Sequence, residues 1–231
     1  MTRHFLKELE NIKKMILTLG AQVEEQVQLA VQAITQTDAR LAERIIRKDH
    51  EIDDMEVEVE EECLKVLALH QPVAVDLRFL IAVIKINNDL ERIGDEAVNI
   101  AQRVEAISRK KGIAFTFDYS TMAIKAEFML KQSLDALVNM DIDRAYRVLI
   151  LDDEVDAIKR EAYDKIKEAM RIHPDHVGYL INLLLVSRHI ERIADHSTNI
   201  AEEVVYLIDG EIVRHEIGKG EWSEERKSVE A

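Results

Sequence analysis

The sequence predicts an all-α protein made of two tandem three-helix bundles, six long helices related by an internal repeat. Three observations carry that expectation. Apolar residues recur at steps of three and four through most of the chain, the period of an amphipathic helix. Turn-forming residues are scarce, with 7 Gly and 2 Pro in 231 residues, while charged residues reach 33%. And "LERIGDEAVNIA", beginning at Leu90, returns as "IERIADHSTNIA" beginning at Ile190. A repeat of that kind changes the meaning of every motif inside it.

The elements follow in order. A first helix runs from about Phe5 to Ile34 and ends at "TQTDA", where Thr37 or Asp38 can cap the next. The second reaches about Leu69 and stops at "HQP". The third spans about Val73 to Ile107. "SRKKGIAFTFD" then loses the helical period and reads as a linker, so residues 1–108 form the first bundle and 109–118 the connection. In the second bundle, 119–210, a fourth helix runs from about Tyr119 to Val138 and the cap-rich turn "NMDID" follows. A fifth helix reaches about Arg171 before "HPD", and a sixth reaches Ile208 and ends on Gly210, a suitable C-terminal cap. Residues 211–231 are a polar tail without pattern, expected to fray.

Bulk properties exclude several classes. The chain carries 45 acidic against 31 basic residues, net −14, which argues against nucleic acid as the main partner and suits binding of cations. The single Cys63 rules out an intramolecular disulfide and fits a reducing cytosol, so a cytoplasmic location is expected. The longest apolar runs, "FLIAVIKI" and "YLINLLLV", fall far short of the ~20 residues that cross a bilayer, so no direct membrane insertion is expected. The N-terminal stretch lacks the apolar core of a signal peptide.

The chemistry lies in paired carboxylates. Glu91 and Asp95 are four residues apart, as are Glu191 and Asp195, with Asn99 and Asn199 one turn further on. Residues i and i+4 share a helix face about 6 Å apart, and like charges there repel by only about 0.2–0.5 kcal/mol, so one such pair means little. The second helix of each half, however, adds another pair: Asp49 with Asp53, and Asp152 with Asp156. If the faces meet, four carboxylates converge in each half, tolerable only with cations or heavy protonation. Oxygen-only donors suit hard ions such as Mg, Mn, Ca or ferric iron. Leu90, Ile93, Ala97, Ile100 and Val104 form the apolar seam of the third helix, which places Glu91, Asp95 and Asn99 at its edge, facing outward. Arg92 and Arg192 beside the first carboxylates read as ion-pair partners of a neighbouring helix. Cys63 and the seven Met read as packing residues. His173 and His176 flank Pro174 without a third ligand. No Glu-x-x-His, Gly-rich phosphate loop or nucleophile elbow occurs, so no catalytic residue is assigned.

With both copies of "ERIGD/ERIAD" in place, together with "LGAQVEEQ", "QPVAVDLRFLIAVIKINNDLERIGDEAVNIA" and "MDIDRA", the chain resembles the PhoU family along nearly its whole length. Ala194 replaces the usual Gly in the second copy. The resemblance implies two three-helix bundles side by side, multinuclear metal clusters (iron, zinc, magnesium or manganese) held by the repeated acidic motif, and no enzymatic turnover. It further implies a cytoplasmic negative regulator of phosphate uptake and of the phosphate regulon. The implied partners are the ATPase subunit of a Pst-type phosphate transporter and a PhoR-type sensor histidine kinase, and the implied state is a homodimer. A metal-dependent enzyme or metal store using the same carboxylates is the alternative, and a metal-free helical scaffold a third reading.

Overall fold

The computed structural model of the chain describes residues 3–109, 115–210 and 212–213. All six expected helices are present: α1 (Arg3–Gln36), a second helix interrupted at Asp49 into α2 (Ala39–Lys48) and α3 (His50–His70), α4 (Ala74–Ser108), α5 (Ser120–Asn139), α6 (Ile142–Ile172) and α7 (Val177–Asp209). A single 3-10 turn, Pro174–His176, joins α6 to α7. No strand occurs among the described residues. Half of the expected linker and nearly all of the expected tail, residues 110–114, 211 and 214–231, lie outside the described residues.

The repeat is written into the turns. Thr37 and Met140 each close their helix in the left-handed region, at φ 53° and 52°. Each is followed by an aspartate that caps the next helix. Asp38 accepts from the Arg40 and Leu41 N–H groups, and Asp141 accepts from that of Arg144. Those N–H groups have no partner inside the helix, which is why Asp at this position is worth about 1 kcal/mol. Met140 is consequently a cap residue and 46% exposed, not part of the core as expected from its helical spacing. Gly210 ends α7 at φ 77°, donating to the Tyr206 carbonyl at 2.9 Å, in the conformation that favours glycine.

Burial repeats in the same register. On the second helices Ile45, Ile52, Val59, Cys63 and Val66 match Val148, Val155, Ala162, Ile166 and Ala169, all buried, at a constant offset. On α4 and α7 the expected seam of Leu90, Ile93, Ala97, Ile100 and Val104 is fully buried, as are its counterparts, with Ser197 standing for Ala97. Each bundle thus encloses its own apolar stripe.

The bundles also pack against each other. α4 and α7 run antiparallel down the middle of the molecule, and α1 lies on α5. Gly20 lets that second contact close: a Cβ there would stand 2.9 Å from a Leu134 methyl carbon. The α4–α7 seam carries a ladder of polar pairs in a single antiparallel register. Lys85 donates to both oxygens of Glu203 at 3.1 Å; Asp89 meets His196 at 2.8 Å; Glu96 meets His189 at 2.6 Å; Arg103 donates to Asn182 at 3.4 Å. Glu96 is 2% exposed. Its second oxygen takes the Arg192 guanidinium at 3.0 Å.

Candidate metal centre

In the first bundle the Asp49 break sits opposite Gly94. A Cβ on Gly94 would lie 3.4 Å from two carbons of Ile52 and 3.9 Å from Asp49 Oδ1, so α4 passes close to the start of α3. Gln26 of α1, itself buried, donates to Asp49 Oδ1 at 3.0 Å. Asp53 and Asp95 lie within electrostatic reach of both Asp49 and Glu91. Burial, then the nearby charges of Asp53 and Asp95, push the Asp49 carboxyl above its usual range against the Gln26 hydrogen bond. Burial followed by Asp95 raises Glu91, and burial followed by Asp53 raises Asp95. Glu91 Oε2 is shut off from water without a hydrogen-bond partner; the Arg92 Nε lies 3.5 Å away.

A fifth carboxylate joins this face that the sequence reading missed. Glu56 on α3 accepts from Asn87 Nδ2 at 3.1 Å, and the same amide donates to the Glu56 carbonyl at 2.8 Å. Its charge helps to raise Glu91. The 103-residue register that pairs Asp49 with Asp152 and Asp53 with Asp156 assigns Lys159 as the counterpart of Glu56. That register was the available signal.

In the second bundle Asp152, Asp156, Glu191 and Asp195 gather in the same way, with Lys159 among them. Its ammonium donates to Glu191 Oε1 and lies 3.9 Å from Asp156 Oδ1. Burial leads the upward shifts of Asp152 and Asp195, followed by Asp156 and Glu191 respectively, and each is pushed up to about 6. Burial alone would depress Lys159, but Glu191 and its carboxylate neighbours hold it above its usual range.

Asn99 and Asn199 take a different direction. Asn99 donates to Glu96 Oε2 at 3.4 Å and Asn199 to Asp89 Oδ1 at 3.0 Å, so both engage the polar ladder between the bundles. Arg192 is paired across the bundles, as its position predicted, whereas the ion pair of Arg92 is with the adjacent Glu91. The His173 and His176 rings meet edge to face, with centroids 6.3 Å apart, and the His176 N–H donates to the His173 carbonyl at 3.0 Å. Among the described residues no three His, Cys, Asp or Glu side chains stand in a geometry that grips one ion as placed. The donor set is nonetheless a hard-ion set: oxygen alone, crowded, and raised in pKa by mutual repulsion. By donor chemistry the residues suit a divalent cation, whose charge would offset that repulsion.

Fold and site together define a duplicated helical-bundle protein with acidic faces and, among the described residues, no catalytic constellation. The chain belongs to the PhoU family: the PhoU domain model matches residues 16–104 and again 119–204. It is 37% identical over 215 residues to the "Phosphate-specific transport system accessory protein PhoU homolog" of Clostridium acetobutylicum, covering 92% of this chain and 98% of the relative. The crystal structure of PhoU from Pseudomonas aeruginosa shares its fold at a TM-score of 0.87 and 35% identity, over 90% of this chain and all of that one. That of the phosphate transport system regulatory protein PhoU from Streptococcus pneumoniae does so at 0.78 and 31%, over 90% and 99%. These relatives are named as accessory and regulatory proteins, not as enzymes.

Proposed function

We propose that the chain is an accessory protein of a phosphate-specific transport system, restraining phosphate uptake and phosphate-responsive gene expression. It acts from the cytoplasm by docking on the transporter's ATPase subunit and on a sensor histidine kinase, as a homodimer, without chemistry of its own. The observation that carries this reading is the family match in both halves, with relatives of that name aligned over nearly the full chain. No described helix is long and apolar enough to cross a membrane, which agrees with reaching the membrane through partners.

Metal belongs to the same reading. Asp49, Asp53, Glu56, Glu91 and Asp95 would hold hard cations on the first bundle, and Asp152, Asp156, Glu191 and Asp195 are their counterparts on the second. The support is the Glu91 oxygen shut off from water without a hydrogen bond, with only the Arg92 guanidinium 3.5 Å away, and the raised carboxyls around it. A bound cation would supply charge neutralisation on an outward-facing surface, where open coordination positions can meet a partner's carboxylate. Deleting the gene and assaying alkaline phosphatase in phosphate-rich medium tests the regulatory reading: derepression is expected, and unchanged repression would overturn it.

A further inference from the structure

Resting on that metal reading, we propose that the two acidic faces are not equivalent. The first bundle's face takes an external divalent cation, while Lys159 serves as the built-in counter-ion of the second, so that Glu56 and Lys159 decide which half holds metal.

The two residues are matched by position. Asp38 and Asp141 are the equivalent caps, Thr37 and Met140 the equivalent left-handed residues, and Ile52 with Val155 and Val59 with Ala162 the equivalent buried positions on either side of the substitution. The offset is the same throughout, so Glu56 and Lys159 face the same place in their bundles. Their supports differ accordingly. Asn87, 1% exposed, holds the Glu56 carboxylate, whereas its counterpart Ser187 turns back onto the Leu184 carbonyl at 2.7 Å and leaves the position open.

The consequence is read at the first carboxylate of each motif. Glu191 Oε1 receives the Lys159 ammonium in a hydrogen bond; Glu91 Oε2 is shut off from water with no hydrogen bond, its nearest cation the Arg92 Nε at 3.5 Å. Arg160 adds a second cation to the second face, 3.5 Å from Asp156. Among the matched positions the first face thus sets five carboxylates against Arg92, with Arg192 acting on Asp95 from the opposite bundle, while the second sets four, with Asp153 beside Asp152, against Lys159 and Arg160. A cation approaching the second face must displace or repel a fixed ammonium that already holds one ligand and neighbours another. At the first the neighbouring cation is the Arg92 guanidinium, 3.5 Å from Glu91 Oε2 on a half-exposed side chain that can turn to water. Changing a ligand-shell charge from negative to positive a few ångströms from a divalent ion is worth well over tenfold in affinity.

Titration of the metal-stripped full chain with Mn2+ alone, read by electron paramagnetic resonance and by metal retained after gel filtration, decides the matter. The native chain is expected to bind through the first face only. Glu91→Gln with Asp95→Asn then abolishes retention, and Glu191→Gln with Asp195→Asn leaves it unchanged. Lys159→Met, nearly isosteric and neutral, should add a second class of Mn2+ and raise retained metal about twofold, an increase erased by Glu191→Gln. Glu56→Lys should weaken the first face at least about tenfold. Circular dichroism melts of each variant confirm that the fold is kept. If both double variants halve the retained metal, or Lys159→Met adds none while the native chain binds, the inference fails and the metal reading stands. If no variant binds Mn2+, both fall.

Discussion

Replacing Glu96 by glutamine removes the most deeply buried charge of the seam between the bundles while keeping its shape. The carboxylate is 2% exposed and receives His189, the Arg192 guanidinium and, more loosely, Asn99. A hydrogen bond to a charged group contributes about 1.5–3 kcal/mol, and stripping one partner from a buried ion pair costs about 3–5 kcal/mol because the other charge is stranded. Here the stranded group has an escape: the Arg192 side chain is 40% exposed and can turn to water. The expected loss is therefore near the lower end, about 2–3 kcal/mol, or roughly 4–12 °C in melting temperature for a chain of this length. Burial pushes Glu96 up, but the His189 hydrogen bond, then the His189 and Arg192 charges, hold it below its usual range. A carboxylate depressed in the folded state contributes stability that is present above its unfolded pKa, about 4.3, and lost as pH falls through the lower folded value. Thermal melts from pH 7 down to pH 3 should accordingly show native and variant proteins converging at the acid end. Adding Arg192→Gln to the variant should cost less than the sum of the two single changes. A variant that melts with the native protein at pH 7 would refute the assignment of the ladder as a structural lock.

Gly94→Ala should raise stability by about 0.5–1 kcal/mol in urea denaturation, since the added Cβ makes only ordinary contacts with Ile52 and Asp49 and glycine is costly within a helix; Ala194 already occupies the equivalent place, fully buried. Cys63, fully buried with its thiol pushed up to about 12 chiefly by burial, should ignore thiol reagents in the native protein and react stoichiometrically once unfolded. In chelator, Asp152 and Asp195 should make stability fall as pH rises from about 4 to about 6. Their folded carboxyls, raised to about 6, favour the proton that the unfolded chain has already lost. The urea midpoint across that range checks it, and Asp195→Asn should flatten the slope.

Helix content, the duplication, the Asp38 and Asp141 caps, the Gly210 terminator and the apolar seam of α4 were all set by the sequence itself, because each depends on neighbours within a turn or two. So was the gathering of four carboxylates per bundle, which follows from i, i+4 spacing on two helices whose apolar stripes must face one another. What lies across the gap between bundles obeys no such short-range rule. Asn199 shares the spacing of the acidic motif yet bonds across to the opposite bundle, because the antiparallel contact of α4 with α7 presents Asp89 to it, while Asn99 turns along its own helix to Glu96, which that same contact pairs with His189. His189 and His196 look like solvated helix residues until that contact pairs them with carboxylates 93 and 107 residues away in the chain. Lys159, one substitution in a repeat, becomes the second face's counter-ion only when α6 packs on α7 and sets its ammonium against Glu191. The sequence by itself determined which faces are acidic; the tertiary structure decided which of those charges are already answered, because that depends on distances only packing can set.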